Sequence, residues 1–196
     1  MKISVRKASL RLALQWAQRT LFAGAFLMLA NCGFVVVDTW WFQRQEIPKV
    51  ERLAGQSSPP PAAVGPGGLI GRIEIQRLGV SVAVAEGTTE HTLRHAAGHI
   101  KGTALPGQAG NVGIAGHRDT LFRPLRNIHR DDIITLTTLL GEFRYRVVST
   151  KVVNPRDVEV LNPDDGNQIL TLVTCYPFYF VGPAPDRFIV RAARVL

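Results

Sequence analysis

From Leu69 onward the chain is cut into short β-type runs separated by turn residues, and this punctuation limits the fold more than any other feature. Between Ile70 and Ile75 the apolar Ile73 and Ile75 alternate with Arg72 and Glu74, and Val80, Val82 and Val84 alternate with small residues. A period of two is the signature of a strand with one face buried and one face wet. Val112 to Gly116, Ile133 to Thr138, Phe143 to Val153, Ile169 to Cys175 and Arg187 to Val195 also read as strands. In the longest of these, Phe143, Tyr145 and Val147 share one face and Arg144 and Arg146 the other. Helical signals are few. Thr88 to Ala97 reads as a short helix, N-capped by Thr88 or Thr89 and stopped at Gly98, and Asp119 or Thr120 caps a further helical turn through Leu125. Asn154 to Asn167, with Pro155, Pro163 and Asp164-Asp165-Gly166, is a long loop. Many short strands and few helices predict an all-β barrel or sandwich.

Ahead of this region lies a segment unable to build a core. The run Ser57-Ser58-Pro59-Pro60-Pro61 and then Gly65-Pro66-Gly67-Gly68 favours extended, solvated chain. Residues 38–68 therefore read as interfacial aromatics followed by a stalk, and residues 69–196 as the folded domain. Before the stalk, residues 21–37 carry no charge, and Trp40, Trp41 and Phe42 follow closely. A bilayer core needs about 20 apolar residues, with a range reaching down to about 17, and aromatic residues gather at its interfaces. The stretch is expected to be a single transmembrane anchor, with residues 1–20 forming a basic cytoplasmic end and the start of the helix. Lys2, Arg6, Lys7, Arg11 and Arg19 all precede the apolar run, and no acid does, so the positive-inside rule sends the domain outward. Of the net charge of +8, these five bases supply most. The folded domain has no basic stripe interleaved with aromatics, which argues against nucleic-acid binding. Ala23-Gly24-Ala25 falls too early for signal cleavage, and Asn31 fits poorly before a lipidated Cys32.

The chain holds two cysteines, Cys32 in the apolar segment and Cys175 in the domain, so they are not expected to pair. Cys175 ends the run Thr171-Leu172-Val173-Thr174-Cys175 and is followed by Tyr176-Pro177-Phe178, which puts a thiol at a strand tip. A free cysteine has a pKa of about 8.5, so a nucleophilic role calls for a neighbouring base or positive charge. Gly116-His117 closes an earlier strand and supplies an imidazole. Arg187 opens a later one and supplies a planar fork of donors that stays charged at any working pH. Taken singly, each has an ordinary reading: a buried inert cysteine, a structural histidine, a surface arginine paired with an acid such as Asp186.

Together, TLVTC, a Gly-His in the middle of the domain and an arginine opening the next strand resemble the sortase family, over nearly the whole of Leu69 to Val195. The resemblance implies an eight-stranded β-barrel transpeptidase with short helices. It makes Cys175 the nucleophile, His117 the acid/base and Arg187 the group that stabilises the oxyanion or positions substrate. It also makes Thr174, Tyr176 and Phe178 candidate substrate-binding residues. Tyr176-Pro177-Phe178 is similar to class D sortases. Such enzymes cut a C-terminal sorting signal of Leu-Pro-x-Thr-Gly type through a thioacyl-enzyme and pass the protein to an amine, on a cell-wall precursor or a pilin lysine. The expected partners are thus a secreted protein bearing that signal, an amine acceptor and the membrane.

No cofactor or metal is expected. His95 and His99 stand four apart, but Gly98 interrupts the helix and no HExxH accompanies them, so a zinc hydrolase is a poor rival. Asp164-Asp165 read most simply as a solvated turn, although a Ca²⁺ site of the kind found in some class A sortases would use such acids. Two alternatives stand beside transpeptidation: an inactive sortase-like domain that binds peptides or scaffolds assembly, and a cysteine endopeptidase that mainly hydrolyses.

Overall fold

The computed structural model describes residues 12, 14–34, 37, 67–163 and 166–195. The chain divides into two compact units, Met1–Trp40 and Trp41–Leu196. In the first, residues 14–34 form one helix, α1. Leu21, Phe22, Phe26, Leu27, Met28, Leu29 and Phe34 along it are all exposed. Among the described residues no helix is both long and apolar enough to cross a membrane. The anchor expected over residues 21–37 is therefore not established by α1 itself. Residues 35 and 36 of that stretch, residues 38–66 of the expected aromatic belt and stalk, and Asp164-Asp165 lie outside the described residues.

The second unit is a closed barrel of eight strands: β1 (Leu69–Ile75), β2 (Val80–Glu86), β3 (Ala97–His99), β4 (Gly110–Gly116), β5 (Ile133–Thr138), β6 (Gly141–Val153), β7 (Gln168–Tyr176) and β8 (Asp186–Val195). Around the barrel they run β1-β2-β3-β4-β7-β8-β6-β5. The β2–β3 and β4–β7 pairs are parallel and all others antiparallel. The alternation seen in the sequence sorts the side chains: Ile73, Ile75, Val82, Val84, Val112, Ile114, Ile134, Leu136, Tyr145, Val147, Leu170, Leu172, Val190 and Ala192 fill the interior. Closure leaves no free sheet edge, and burial of these apolar faces is what holds the strands together.

Three differences from the sequence expectation have local causes. The helix is shorter than Thr88 to Ala97: α2 spans Glu90–His95, with the Thr89 hydroxyl accepting from the Thr92 N–H. Ala97, Gly98 and His99 leave it to form β3, which bridges β2 and β4. Three residues are too few for alternation to register, so this strand is invisible to periodicity. A Cβ on Gly98 would meet the Gly87 carbonyl oxygen at 2.4 Å, so the glycine permits a close strand approach and does more than stop a helix. The turn after His117 is a 3₁₀ segment, Arg123–Asn127, whose first residue follows Phe122 with no side-chain cap, so neither Asp119 nor Thr120 caps it.

Candidate active site

Two registers place the candidate residues. Along β4–β7, Gly116 pairs with Thr174, so the next residue on each strand brings His117 level with Cys175. Along β7–β8, Cys175 pairs directly with Arg187. His117, Cys175 and Arg187 thus form one row across three adjacent strand ends, with Cys175 in the middle. Neighbouring strands lie about 4.8 Å apart and side chains level with one another share a face. Leu170 and Leu172 on β7 and Val112 and Ile114 on β4 point into the barrel, so residues of the opposite parity, including the row, point outward.

The ends of β4 and β7 are fixed from within. Thr174 is only 2% exposed, and its hydroxyl donates to the Gly116 carbonyl at 2.7 Å. Thr174, expected to help bind substrate, lies on the inward side and anchors the strand that carries His117. On Gly116 a Cβ would stand 2.6 Å from the ring of Phe122, which is fully buried. The Phe122 N–H in turn donates to the His117 carbonyl at 3.0 Å. Glycine before the histidine is therefore a packing requirement, and it lets the strand turn sharply over an aromatic ring. The His117 side chain is exposed and Cys175 half-buried. Among the described residues neither the thiol nor the imidazole has a hydrogen-bond partner. The Arg187 guanidinium donates through Nη1 to the carbonyls of Asp186 at 2.9 Å and Ala184 at 3.3 Å. Those bonds hold it at the mouth of the β7–β8 loop and, among the described residues, leave its Nε and Nη2 uncommitted.

Tyr176 and Phe178 are half-buried and pack with Phe188, the three ring centroids lying 5.4 to 6.4 Å apart. Phe178 and Phe188 also rest on the core. The peptide bond between Tyr176 and Pro177 is cis. These rings close the barrel end next to the row.

On the outer face, the row is continued by Ala115, Val173 and Ile189, then by Gly113, Thr171 and Arg191. A bulge between Val147 and Ser149 shifts the phase of β6, so that Val153, Lys151 and Ser149 stand level with Arg187, Ile189 and Arg191. The loop from β6 to β7 is pinned across this face. Asn111 donates from Nδ2 to the carbonyls of Val160 and Asn162, at 3.0 and 3.2 Å, and its Oδ1 accepts from Thr171 at 2.7 Å. A Cβ on Gly113 would stand 3.0 Å from a Leu161 methyl, so this strand is flat where the loop crosses it. Between the loop and the sheet lies a cavity of about 350 Å³ lined by Ser149, Lys151, Glu159, Val160, Ile189 and Arg191. It begins one row below Cys175 on the outer face.

His99 is buried with Nδ1 2.8 Å from the Glu86 carboxylate and Nε2 3.0 Å from both the Ala104 carbonyl and the Thr103 hydroxyl. Both ring nitrogens are thus engaged by the fold. Sequence reasoning passes over Arg118, which follows His117 and reaches the β7–β8 loop. Its partners are backbone carbonyls far along the chain, and no local pattern announces such contacts.

Comparison with known proteins agrees with the barrel fold. A family model described as the sortase domain matches residues 73–195. Sortase D of Bacillus subtilis is 36% identical over 125 residues, which are 64% of this chain and 63% of that protein. Sortase SrtE1 of Streptomyces coelicolor is 30% identical over 171 residues, covering 74% of this chain and 48% of the relative. The chain thus spans between about half and just under two thirds of the length of these relatives. Among solved structures, the Sortase D5 transpeptidase of Clostridium perfringens superposes with a TM-score of 0.68 at 29% identity, covering 79% of this chain and 98% of that one.

Proposed function

Because the chain belongs to the sortase family, we propose that it is a cysteine transpeptidase acting on C-terminal sorting signals of Leu-Pro-x-Thr-Gly type. The observation that carries this reading is the row His117–Cys175–Arg187 at the ends of β4, β7 and β8. In the proposed reaction the Cys175 sulfur, as thiolate, attacks the carbonyl carbon of the scissile bond. The carbonyl electrons move onto oxygen, and the free donors of Arg187 stabilise the resulting oxyanion. Collapse of that intermediate expels the leaving amine, to which His117 as imidazolium gives a proton. The thioester that remains is opened by an incoming amine, which returns a proton to His117 and releases Cys175.

The donor is a secreted protein bearing the signal, and the acceptor is an amine on a cell-wall precursor or a pilin lysine. Tyr176 and Phe178 border the substrate from the barrel end. Residues 21–37 hold the enzyme in the membrane with the domain outside the cytoplasm. The charge-free run, the bases before it and the aromatic residues after it support that placement.

The deciding experiment is intact mass of the protein after incubation with a Leu-Pro-x-Thr-Gly peptide library, with and without added amines. An acyl adduct, absent in Cys175→Ala and discharged by an amine into a ligated peptide, is the expected result. An adduct discharged only by water would make the protein an endopeptidase. A Cys175 thiol inert to both peptides and alkylating agents would leave a peptide-binding scaffold.

A further inference from the structure

The β7–β8 loop joins Cys175 to Arg187, yet it buries little of itself. Phe178 at its start rests on the core, but Tyr179, Phe180 and Val181 are 74%, 45% and 96% exposed, so apolar burial does not account for the position of its middle. What holds it comes from the segment after β4. Arg118 donates from Nη2 to the carbonyls of Phe180 at 2.7 Å and Gly182 at 2.9 Å, and its guanidinium carbon lies 5.8 Å from the Phe180 ring centroid. Arg126 sits over the Tyr179 ring at 5.4 Å. A guanidinium is suited to this, since its fork meets two carbonyls at once while its flat face lies on an aromatic ring.

We propose that Arg118 is a positioning residue for the transpeptidase reaction, a role that rests on the function proposed above. It is the chain neighbour of His117, and the loop it holds begins beside Cys175 and ends at Arg187. One side chain therefore ties the turn bearing the imidazole to the segment joining the thiol and the catalytic guanidinium. Arg187 grips the same loop from the other end through Ala184 and Asp186. Arg118 is also built to let go. Its Nη1 is buried without an acceptor, and among the described residues no carboxylate pairs with it. A structural arginine such as Arg77 has a carboxylate and two further acceptors instead. Two carbonyls and a ring face make a tether that can open and reclose as substrate and acceptor exchange.

The test compares wild type with Arg118→Met, Arg118→Lys and Phe180→Leu by amide hydrogen exchange and by acylation kinetics with the peptide library. Arg118→Met is expected to speed exchange of amides in 178–184 by about tenfold or more while peptides from β1 and β2 stay as in wild type. It should lower kcat for acylation by about ten- to a hundredfold with KM changed by less than about threefold, as expected when reacting groups are misplaced. Arg118→Lys keeps the charge without the fork and should recover only a small part of that loss. Phe180→Leu keeps both carbonyl bonds and should give a smaller change in the same two readouts, which decides the matter even if Arg118→Met folds poorly. Unchanged loop exchange in the variants, or faster exchange with unchanged kcat, would overturn the role of Arg118 while wild-type adduct formation left the transpeptidase reading standing. Failure of wild type itself to form an adduct would remove both.

Discussion

At the corner where Arg77 meets the start of β5, the guanidinium is tied to a carboxylate. At the ends of β4 and β7 the candidate groups stand open. The Arg77 guanidinium donates from Nε and Nη2 to both carboxylate oxygens of Asp132, and Nη2 also reaches the Asn127 carbonyl and His129 Nδ1. The His129 N–H donates to the same carboxylate at 2.8 Å. By contrast, Thr174 and Phe122 secure the backbone beside the row of candidate residues, while among the described residues the thiol and imidazole are left uncommitted. Charge-assisted pairing fixes the first corner. In the proposed function the second has to exchange partners during a reaction, so groups satisfied by the fold would be unavailable to substrate. The difference separates a staple from a site, although both are built around an arginine.

The sharpest way to break that contrast is to alter the arginine at the open end. Arg187→Lys keeps a positive charge and loses the planar fork, so acylation should fall by about a hundredfold, near the cost of one lost oxyanion donor. The melting temperature should hardly move. Steady-state kinetics beside thermal unfolding checks both, and near-normal turnover would make Arg187 merely structural.

At the corner held by Arg77 and Asp132 the effects should be reversed. The hydrogen bond from Arg77 holds the Asp132 carboxyl below its ordinary value, with smaller help from the His129 N–H, against burial that pushes it up. A carboxylate depressed in the folded state contributes stability that is complete above the unfolded value, about 3.9, and is lost as pH falls through the folded value. Asp132→Asn should therefore lower the melting temperature by a few degrees at neutral pH and flatten the decline in stability below about pH 4. Peptide acylation at neutral pH should be unchanged, and an activity loss comparable to that of Arg187→Lys would erase the distinction between the two corners.

The smallest effect is expected inside the barrel. Tyr145 is fully buried, its hydroxyl has no hydrogen-bond partner among the described residues, and burial pushes its phenol above the ordinary range. Removing an unsatisfied hydroxyl relieves its desolvation, so Tyr145→Phe should leave stability unchanged or raise it by up to about 1 kcal/mol, as read by denaturant unfolding. A clear loss would show that this oxygen is satisfied after all.

Seven of the eight strands are legible in the sequence because alternation is a local property: a buried face imposes period two on each run by itself, as in Ile73 and Ile75 or Tyr145 and Val147. Cys175 at a strand tip, and a histidine and an arginine at the tips of two others, are legible for the same reason. Their meeting is not. It depends on β4 lying parallel to β7 in a register that sets Gly116 opposite Thr174, and on β8 setting Arg187 opposite Cys175. Period two tells which face a residue takes and nothing about which strand lies alongside, so only the resemblance to sortases joins the three beforehand. β3 escapes notice because three residues cannot display a period. The inward face of Thr174 follows from its parity with Leu170 and Leu172, but its bond to the Gly116 carbonyl depends on which strand lies alongside. Arg118 is missed because its acceptors are backbone carbonyls, which every residue carries and which only the folded loop brings within reach. The sequence by itself therefore determined seven strands, the cysteine at a strand tip and the residue types of the candidate site. Closure of the barrel decided their neighbours, because hydrogen-bonded register between distant strands is set by how the whole sheet closes and packs.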